Sequence, residues 1–500
     1  MGQDRFFAGT RLELWKFGKG HVKIKLLPAS GGQIRVQWGG FFDMAQRQPK
    51  RYEIDMANGA ILPKLLQFAV PLMCSSILQL LFNAADIVVV GRFAGDTSLA
   101  AVGSNSALIN LLVNLFIGLS VGANILAARH YGSNAEKELH QTVHTAILMS
   151  LISGVFLTVA GVALARVLLV LMQSPPEVLD LAVLYLRIYF VGMPASMLYN
   201  FGAALLRAVG DTRRPLYYLT AAGVVNVILN LIFVIVLQLD VAGVALATVI
   251  SQCISAFLVV RCLMGADSAI RLDLRQLRIY PAQFRRILQV GVPAGLQSVL
   301  FSLSNTVIQS SVNSFGEIAM AGNAAAANIE SFVYASMNAF YQATISFTSQ
   351  NLGAGRYDRI WKILLRAQAC VIAVGAVLGG LVILFGPQLL GIYSQTPAVI
   401  DAGMARLRII CQLYFLCGVM EVLVGTLRGI GYSILPTLTT LVGACLLRLV
   451  WIATLFQIPR FHTIQVVYWS YPVSWILTLS AHLLCLLWGM RKLRRRMLES

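Results

Sequence analysis

From Leu62 to about residue 489 the chain is a succession of twelve apolar runs separated by short polar loops. Each run holds roughly 20 or more residues, enough to carry a helix across about 30 Å of hydrocarbon. The runs cover 62–90, 101–128, 143–172, 178–206, 216–238, 241–264, 285–312, 318–348, 362–393, 399–428, 435–457 and 466–489. With 58% hydrophobic and only 12% charged residues, and a mean hydropathy of +0.74, this is not an ordinary soluble domain. Soluble chains carry about a quarter charged residues and avoid large exposed apolar patches. The sequence therefore predicts an all-α membrane protein of twelve transmembrane helices.

The formal charge of +18 is spread in short clusters between the runs rather than gathered with aromatics on one domain, which argues against nucleic acid as a partner. Basic residues fall on alternate loops. Arg129 and Lys137 follow the second run, Arg207, Arg213 and Arg214 the fourth, and Arg271, Arg275 and Arg278 the sixth. Arg356 and Arg359 follow the eighth, Arg428 the tenth, and the tail carries Arg491, Lys492, Arg494, Arg495 and Arg496. The other loops carry mainly Asp96, Glu177, Asp240, Glu317 and Asp401, with Arg92 and Arg460 as exceptions. Basic loops stay on the cytoplasmic side, so both termini are expected in the cytoplasm of a cell with the chain in its inner membrane.

The halves repeat. Leu66-Gln67-Phe68-Ala69-Val70-Pro71 returns as Leu288-Gln289-Val290-Gly291-Val292-Pro293, and Leu186-Arg187-Ile188 as Leu407-Arg408-Ile409. Leu206-Arg207-Ala208-Val209-Gly210 with Pro215 returns as Leu427-Arg428-Gly429-Ile430-Gly431 with Pro436, always 221 or 222 residues on. Six helices per half give the halves the same orientation, so they are parallel repeats about an axis along the membrane normal. The expected division is an N-lobe of helices 1–6 at 56–264, a cytoplasmic linker at 265–284, a C-lobe of helices 7–12 at 285–490 and a basic tail at 491–500. Residues 1–55 match nothing in the second half and read as a cytoplasmic tail, or as an extension upstream of a later start at Met44 or Met56. The segment shows no signal-peptide pattern. The eight cysteines have neither metal-site nor disulfide spacing and read as reduced, buried side chains.

A charged group inside hydrocarbon costs about 2.5–3.5 kcal/mol on insertion scales, so each one asks for a reason. Asp86 lies on the same helical face as Asn83 and six residues before Arg92, about 9 Å inside that end. Burial there suits an acid that exchanges a proton or binds Na⁺; the alternative is a hydrogen-bonded cross-link between helices. Asn226 and Asn230 stack four apart on the fifth helix, and Thr248, Ser251 and Gln252 share a face of the sixth. Neutral oxygens beside one carboxylate suit a hard monovalent cation, and equally suit helix–helix hydrogen bonding. Glu330 and Glu421 have no acidic counterparts in the first half; lining a cleft, they would attract cationic substrates or carry protons. Asn305 is placed in the same cleft. Arg448, the one strongly interior arginine expected in the second half, would pair with one of these acids, bind anionic groups, or form a salt bridge or snorkel. Arg187 and Arg408, at equivalent positions, read as structural, and Pro71 and Pro293 are expected to bend their helices. Paired-aspartate (DDxxD), metalloprotease, P-loop and nucleophile-elbow motifs are absent from the sequence.

Four stretches then carry a resemblance. They are Asn83-Ala84-Ala85-Asp86 running into Val90-Gly91-Arg92, Leu206 to Thr212 with Pro215, Asn226-Val227-Ile228-Leu229-Asn230, and Val241 to Thr248 running to Ser251-Gln252. Over about residues 56–490 the chain resembles the multidrug and toxic compound extrusion (MATE) family, its first half most closely the bacterial drug exporters. The resemblance implies two six-helix lobes that rock about a central cleft. It further implies secondary antiport, the export of cationic or amphipathic small molecules in exchange for H⁺ or Na⁺, by a monomer that is not an enzyme and carries no other cofactor. It places the coupling site at Asp86, Asn226, Asn230 and Thr248, with Tyr185 from the fourth helix. Where the family pattern has a fifth-helix Asp, this chain has Asn230, which removes one negative charge and shifts the expectation from Na⁺ at Asp86 towards H⁺. The alternative is a lipid-linked precursor flippase of the same superfamily, which would show several Arg and Lys facing the cleft.

Overall fold

The structure, a computed structural model, describes residues 6–7, 10–17, 21–28, 52–172, 175–266 and 270–499. Two units result, residues 1–49 and 50–500. In the first, β1 (Phe6–Phe7), β2 (Thr10–Phe17) and β3 (His21–Pro28) form an antiparallel sheet, with Leu14 opposite Ile24. The expectation for this stretch is a cytoplasmic tail or an extension upstream of a later start, and it names no strands. The physical signal for the strands is the alternation Arg11-Leu12-Glu13-Leu14 and Val22-Lys23-Ile24-Lys25, which has the two-residue period of a strand.

The second unit is helical. Its first half consists of α1 (Ile61–Phe93), α2 (Asp96–Gly132), α3 (Glu136–Leu171), α4 (Pro176–Val191), α5 (Met193–Ala208), α6 (Arg213–Leu231) and α7 (Asp240–Met264). Its second consists of α8 (Pro281–Asn313), α9 (Glu317–Gly353), α10 (Tyr357–Leu384), α11 (Gly386–Gly391), α12 (Pro397–Leu413), α13 (Phe415–Gly429), α14 (Ile434–Thr440), α15 (Leu447–Ala453) and α16 (Ile464–Glu499). The pairs α4/α5 and α12/α13 are single spans bent by 47° and 45°. The bends fall at Gly192 and Tyr414, 222 residues apart. A π-helical turn extends α6 to Val236, and another joins α14 to α15. Among the described residues, nine helices and these two bent pairs are long and apolar enough to cross a membrane. The twelfth span, α9, is 37 residues long but more polar, because it runs through the interior rather than along lipid; Thr344, Ser346, Thr348, Gln350 and Asn351 on it are all buried.

The repeat is written into the backbone. Left-handed residues recur in pairs at the same offset: Gly95 with Gly316, Asn134 with Gly355, and Gly210 with Gly431. At Gly210 (φ 94°) a side chain would be strained and would also meet the Ile54 backbone within 2.6 Å, so glycine is required there. Large apolar side chains such as Val88, Val159, Leu384 and Leu484 are exposed on the outer faces, as expected of helices solvated by lipid.

Each lobe's first helix packs along the other lobe's second helix. α1 lies on α9, with Phe68 edge-on to Phe347 at 5.7 Å. α8 lies on α2, where a Cβ on Gly118 would sit 2.2 Å from the Gly295 nitrogen. Small residues let these backbones touch, which is how helices associate where burial in lipid offers no hydrophobic gain. The connection between lobes ends at Pro281, a few residues before the expected 284. It is clasped to α3: the Tyr280 amide donates to Thr145 Oγ1 (3.1 Å), and His144 Nε2 lies 3.1 Å from the Asp273 backbone.

Candidate functional site

Helical spacing stacks Asn226 and Asn230 on one face of α6, and that face meets Asp86 of α1 and Thr248 of α7. Asn230 Nδ2 donates to Asp86 Oδ1 in a short contact and to Asn226 Oδ1 at 3.3 Å. Asn226 Nδ2 in turn donates to Thr248 Oγ1 at 3.5 Å, and Thr248 donates to the Val244 carbonyl at 3.0 Å. Both asparagines are buried, Asp86 is half-buried, and Asn230 Oδ1 has no partner among the described residues. Tyr185 is buried within electrostatic reach of Asp86 and stacks on Tyr189 at 6.1 Å. Four of the five residues singled out in the first half, Asp86, Asn226, Asn230 and Thr248, are thus joined by hydrogen bonds.

The residues singled out in the second half converge too. A cavity of about 590 Å³ is lined by Asn305, Glu330, Glu421 and Arg448, together with Arg406 and Arg428. Glu330 is held bidentately by Arg406, Nε to Oε1 at 2.8 Å and Nη2 to Oε2 at 2.7 Å, and Arg406 Nη1 donates to Asn323 Oδ1 at 2.7 Å. Arg428 donates to Tyr341 Oη and to Gln297 Oε1 (2.8 Å) and is the cation acting on Glu421. Arg448 is fully buried, donates from Nε to Ser474 Oγ at 2.7 Å and lies over the Tyr471 ring at 4.3 Å.

Two expectations are corrected here. Arg448 is not the one interior arginine of the second half, since Arg406 and Arg428 are buried as well. Nor does it pair with Glu330, whose partner is Arg406. Arg406 was missed because it sits beside the exposed Arg408. Two residues apart on a helix, however, point to nearly opposite sides, so only one of the two can face lipid or solvent. Arg428 was read as a loop cation, although it lies within the last turn of α13. Arg187 and Arg408 are both exposed.

Between the lobes α2 and α9 touch at their C-terminal ends, on the side of the basic loops. A Cβ on Gly132 would lie 2.0 Å from the Gln350 carbonyl oxygen, and one on Gly353 would lie 2.0 Å from that of Arg129. Val121 and Gln342 line the cavity, and each precedes its glycine by eleven residues, about 16 Å of helix. α2 and α9 are therefore in backbone contact between the cavity and the basic loops.

A model of the MatE family matches residues 71–232 and again 293–454, two segments 222 residues apart. "Probable multidrug resistance protein YoeA" of Bacillus subtilis is 29% identical over 385 residues, covering 75% of this chain and 82% of the relative. An outward-facing multidrug resistance MATE family transporter of the MOP superfamily superposes with a TM-score of 0.82 at 21% identity, over 90% of this chain and 99% of that one. A MOP superfamily transporter from Pyrococcus furiosus, for which reverse polarity of the binding pocket suggests a different function, gives 0.82 at 22% identity, over 91% and 100%. The likeness to these two solved structures concerns the fold.

Proposed function

The chain belongs to the MatE family, a family of multi-pass membrane transporters rather than enzymes, and on that premise we propose that it is a secondary active exporter that extrudes amphipathic small molecules in exchange for protons taken up by Asp86. The observation that carries the coupling is the chain of hydrogen bonds from Asp86 through Asn230 and Asn226 to Thr248. With Asp86 charged, the Asn230 amide faces it with N–H donors, and the buried Asn230 Oδ1 is left without a donor. Protonation turns one Asp86 oxygen into a donor. The Asn230 amide then gains by rotating its oxygen towards Asp86, which breaks its bond to Asn226 and alters how α1 is tied to α6. Such an exchange of donor and acceptor is a two-state element that a proton can bias.

Na⁺ is the second reading for Asp86, and the donor set suits it less. One carboxylate is present where the family pattern has two, and an amide N–H group stands between the oxygens that would ligate the ion. The packing of Gly132 on the Gln350 backbone and of Gly353 on that of Arg129 supports a cleft closed to the cytoplasm, with the basic loops on that side, in the cell membrane; a monomer suffices, since both lobes are in one chain.

The substrate's charge follows from the cavity. Three guanidinium groups face two carboxylates, so an organic cation is disfavoured relative to a neutral, zwitterionic or anionic amphipath. The same three arginines meet the mark set for a flippase. Arg406 and Arg428 are engaged by protein acceptors, however, so among the described residues lining the cavity only Arg448 keeps unbonded terminal nitrogens, rather than the basic patch a pyrophosphate head group needs. The test is dye efflux from cells. Asp86→Asn should reach the membrane and lose efflux, whereas unchanged efflux would remove Asp86 from the mechanism.

A further inference from the structure

We propose that Arg448 is the recognition point for the carboxylate of a planar aromatic acid bound in the cavity that it helps to line. This rests on the export reading above and adds the substrate's chemical class and its anchoring residue. Arg448 is fully buried, yet among the described residues its two terminal nitrogens have no hydrogen-bond partner, and the side chain forms part of the cavity wall. A buried guanidinium without a counter-charge costs several kcal/mol, a cost that structure alone does not offset. Ser474 satisfies Nε only. The cavity's carboxylates are engaged elsewhere, Glu330 by Arg406 and Glu421 in the field of Arg428. Two terminal nitrogens carrying parallel N–H groups are the geometric match for the two oxygens of a carboxylate, and a rigid fork serves this purpose better than a point charge.

The surroundings define the rest of the ligand. Around the guanidinium stand Tyr471 at 4.3 Å, Phe301 at 5.5 Å and Trp475 at 5.8 Å, and Tyr414 stacks on Trp475 at 5.4 Å. This wall offers ring faces to a flat apolar body beside the charged anchor. A volume of about 590 Å³ suits a drug-sized molecule. The two lobes differ at the equivalent place. Arg448 lies 222 residues after Asn226, the separation of the two family matches, and where Asn226 contacts the Thr248 hydroxyl, Arg448 contacts that of Ser474. One lobe thus holds an acid among amides, and the other holds an unpaired cation among rings.

The experiment titrates the purified full-length protein in detergent, with no ion gradient, with rhodamine B and with rhodamine B ethyl ester, read by fluorescence anisotropy. The two dyes share a ring system, and only the first has a free carboxylate. The wild type should bind the acid at least about tenfold tighter than the ester, and Arg448→Gln should weaken the acid by about tenfold while leaving the ester within about twofold. Equal weakening of both dyes, no change in either, or no preference in the wild type would overturn the proposal. If Arg448→Gln does not purify folded, Arg448→Lys decides. It keeps the charge and loses the fork, so a selective loss of the acid supports the site, and an unselective change overturns it. Asp86→Asn should leave both titrations unchanged while stopping export. A failure of the export reading would therefore appear in transport, with the Arg448 effect on binding intact.

Discussion

Gly132 of α2 and Gly353 of α9, 221 residues apart, meet across the two lobes, each packed against the partner helix's backbone at a residue that is itself a repeat equivalent. Gly132 faces the carbonyl of Gln350 and Gly353 that of Arg129. The lobes therefore close on one another, backbone to backbone, at the end that carries the basic loops. A side chain at either position must push the helices apart. Gly353→Val should cost the closed state roughly 1–3 kcal/mol. Hydrogen exchange at 126–132 and 347–353 should quicken and export should fall. Unchanged exchange there would mean that the contact does not hold the closed state.

Glu330 and Arg406 form a bidentate pair with both side chains under a tenth exposed. Removing one partner strands a buried charge, so Glu330→Gln should destabilise the protein by about 3–5 kcal/mol. Replacing both, as Glu330→Met with Arg406→Met, should recover most of that loss, because well-packed apolar groups often substitute for a buried pair. Thermal unfolding of the two single variants and the double variant gives the coupling, and additive losses would show that the pair acts independently.

Asn230 stands between Asp86 and Asn226 as a donor to both. Asn230→Asp would set a second carboxylate beside the first, an arrangement that needs a cation or a shared proton. The variant should gain stabilisation by NaCl over KCl in a thermal shift assay, where the wild type shows little difference. An Na⁺ response equally large in the wild type would restore Na⁺ as the coupling ion.

Much of this was readable in the residues. Apolar run length gave the twelve spans, and the fixed offset of Arg, Gly and Pro gave two parallel lobes. The i, i+4 spacing of Asn226 and Asn230 predicted one polar face. Asp86 found that face through helix packing, a relation between α1 and α6 that the residue types suggested and the spacing alone did not determine. What stayed hidden depended on which way a helix faces in three dimensions. Arg406 and Arg408 are indistinguishable as letters, yet one grips Glu330 and the other is exposed. Run length does not set α9 apart from the other spans; its greater polarity has its reason in α1 and α2 packing against it.

On the export reading, a proton on Asp86 drives the transport step. Proteoliposomes preloaded with a fluorescent amphipath and placed under an imposed ΔpH, or separately under an imposed Na⁺ gradient, measure it directly. Wild-type protein should move dye under ΔpH and not under Na⁺ alone, and Asp86→Asn should be inert under both. Dye movement driven by Na⁺ at fixed pH, or ΔpH-driven movement that survives Asp86→Asn, would contradict it.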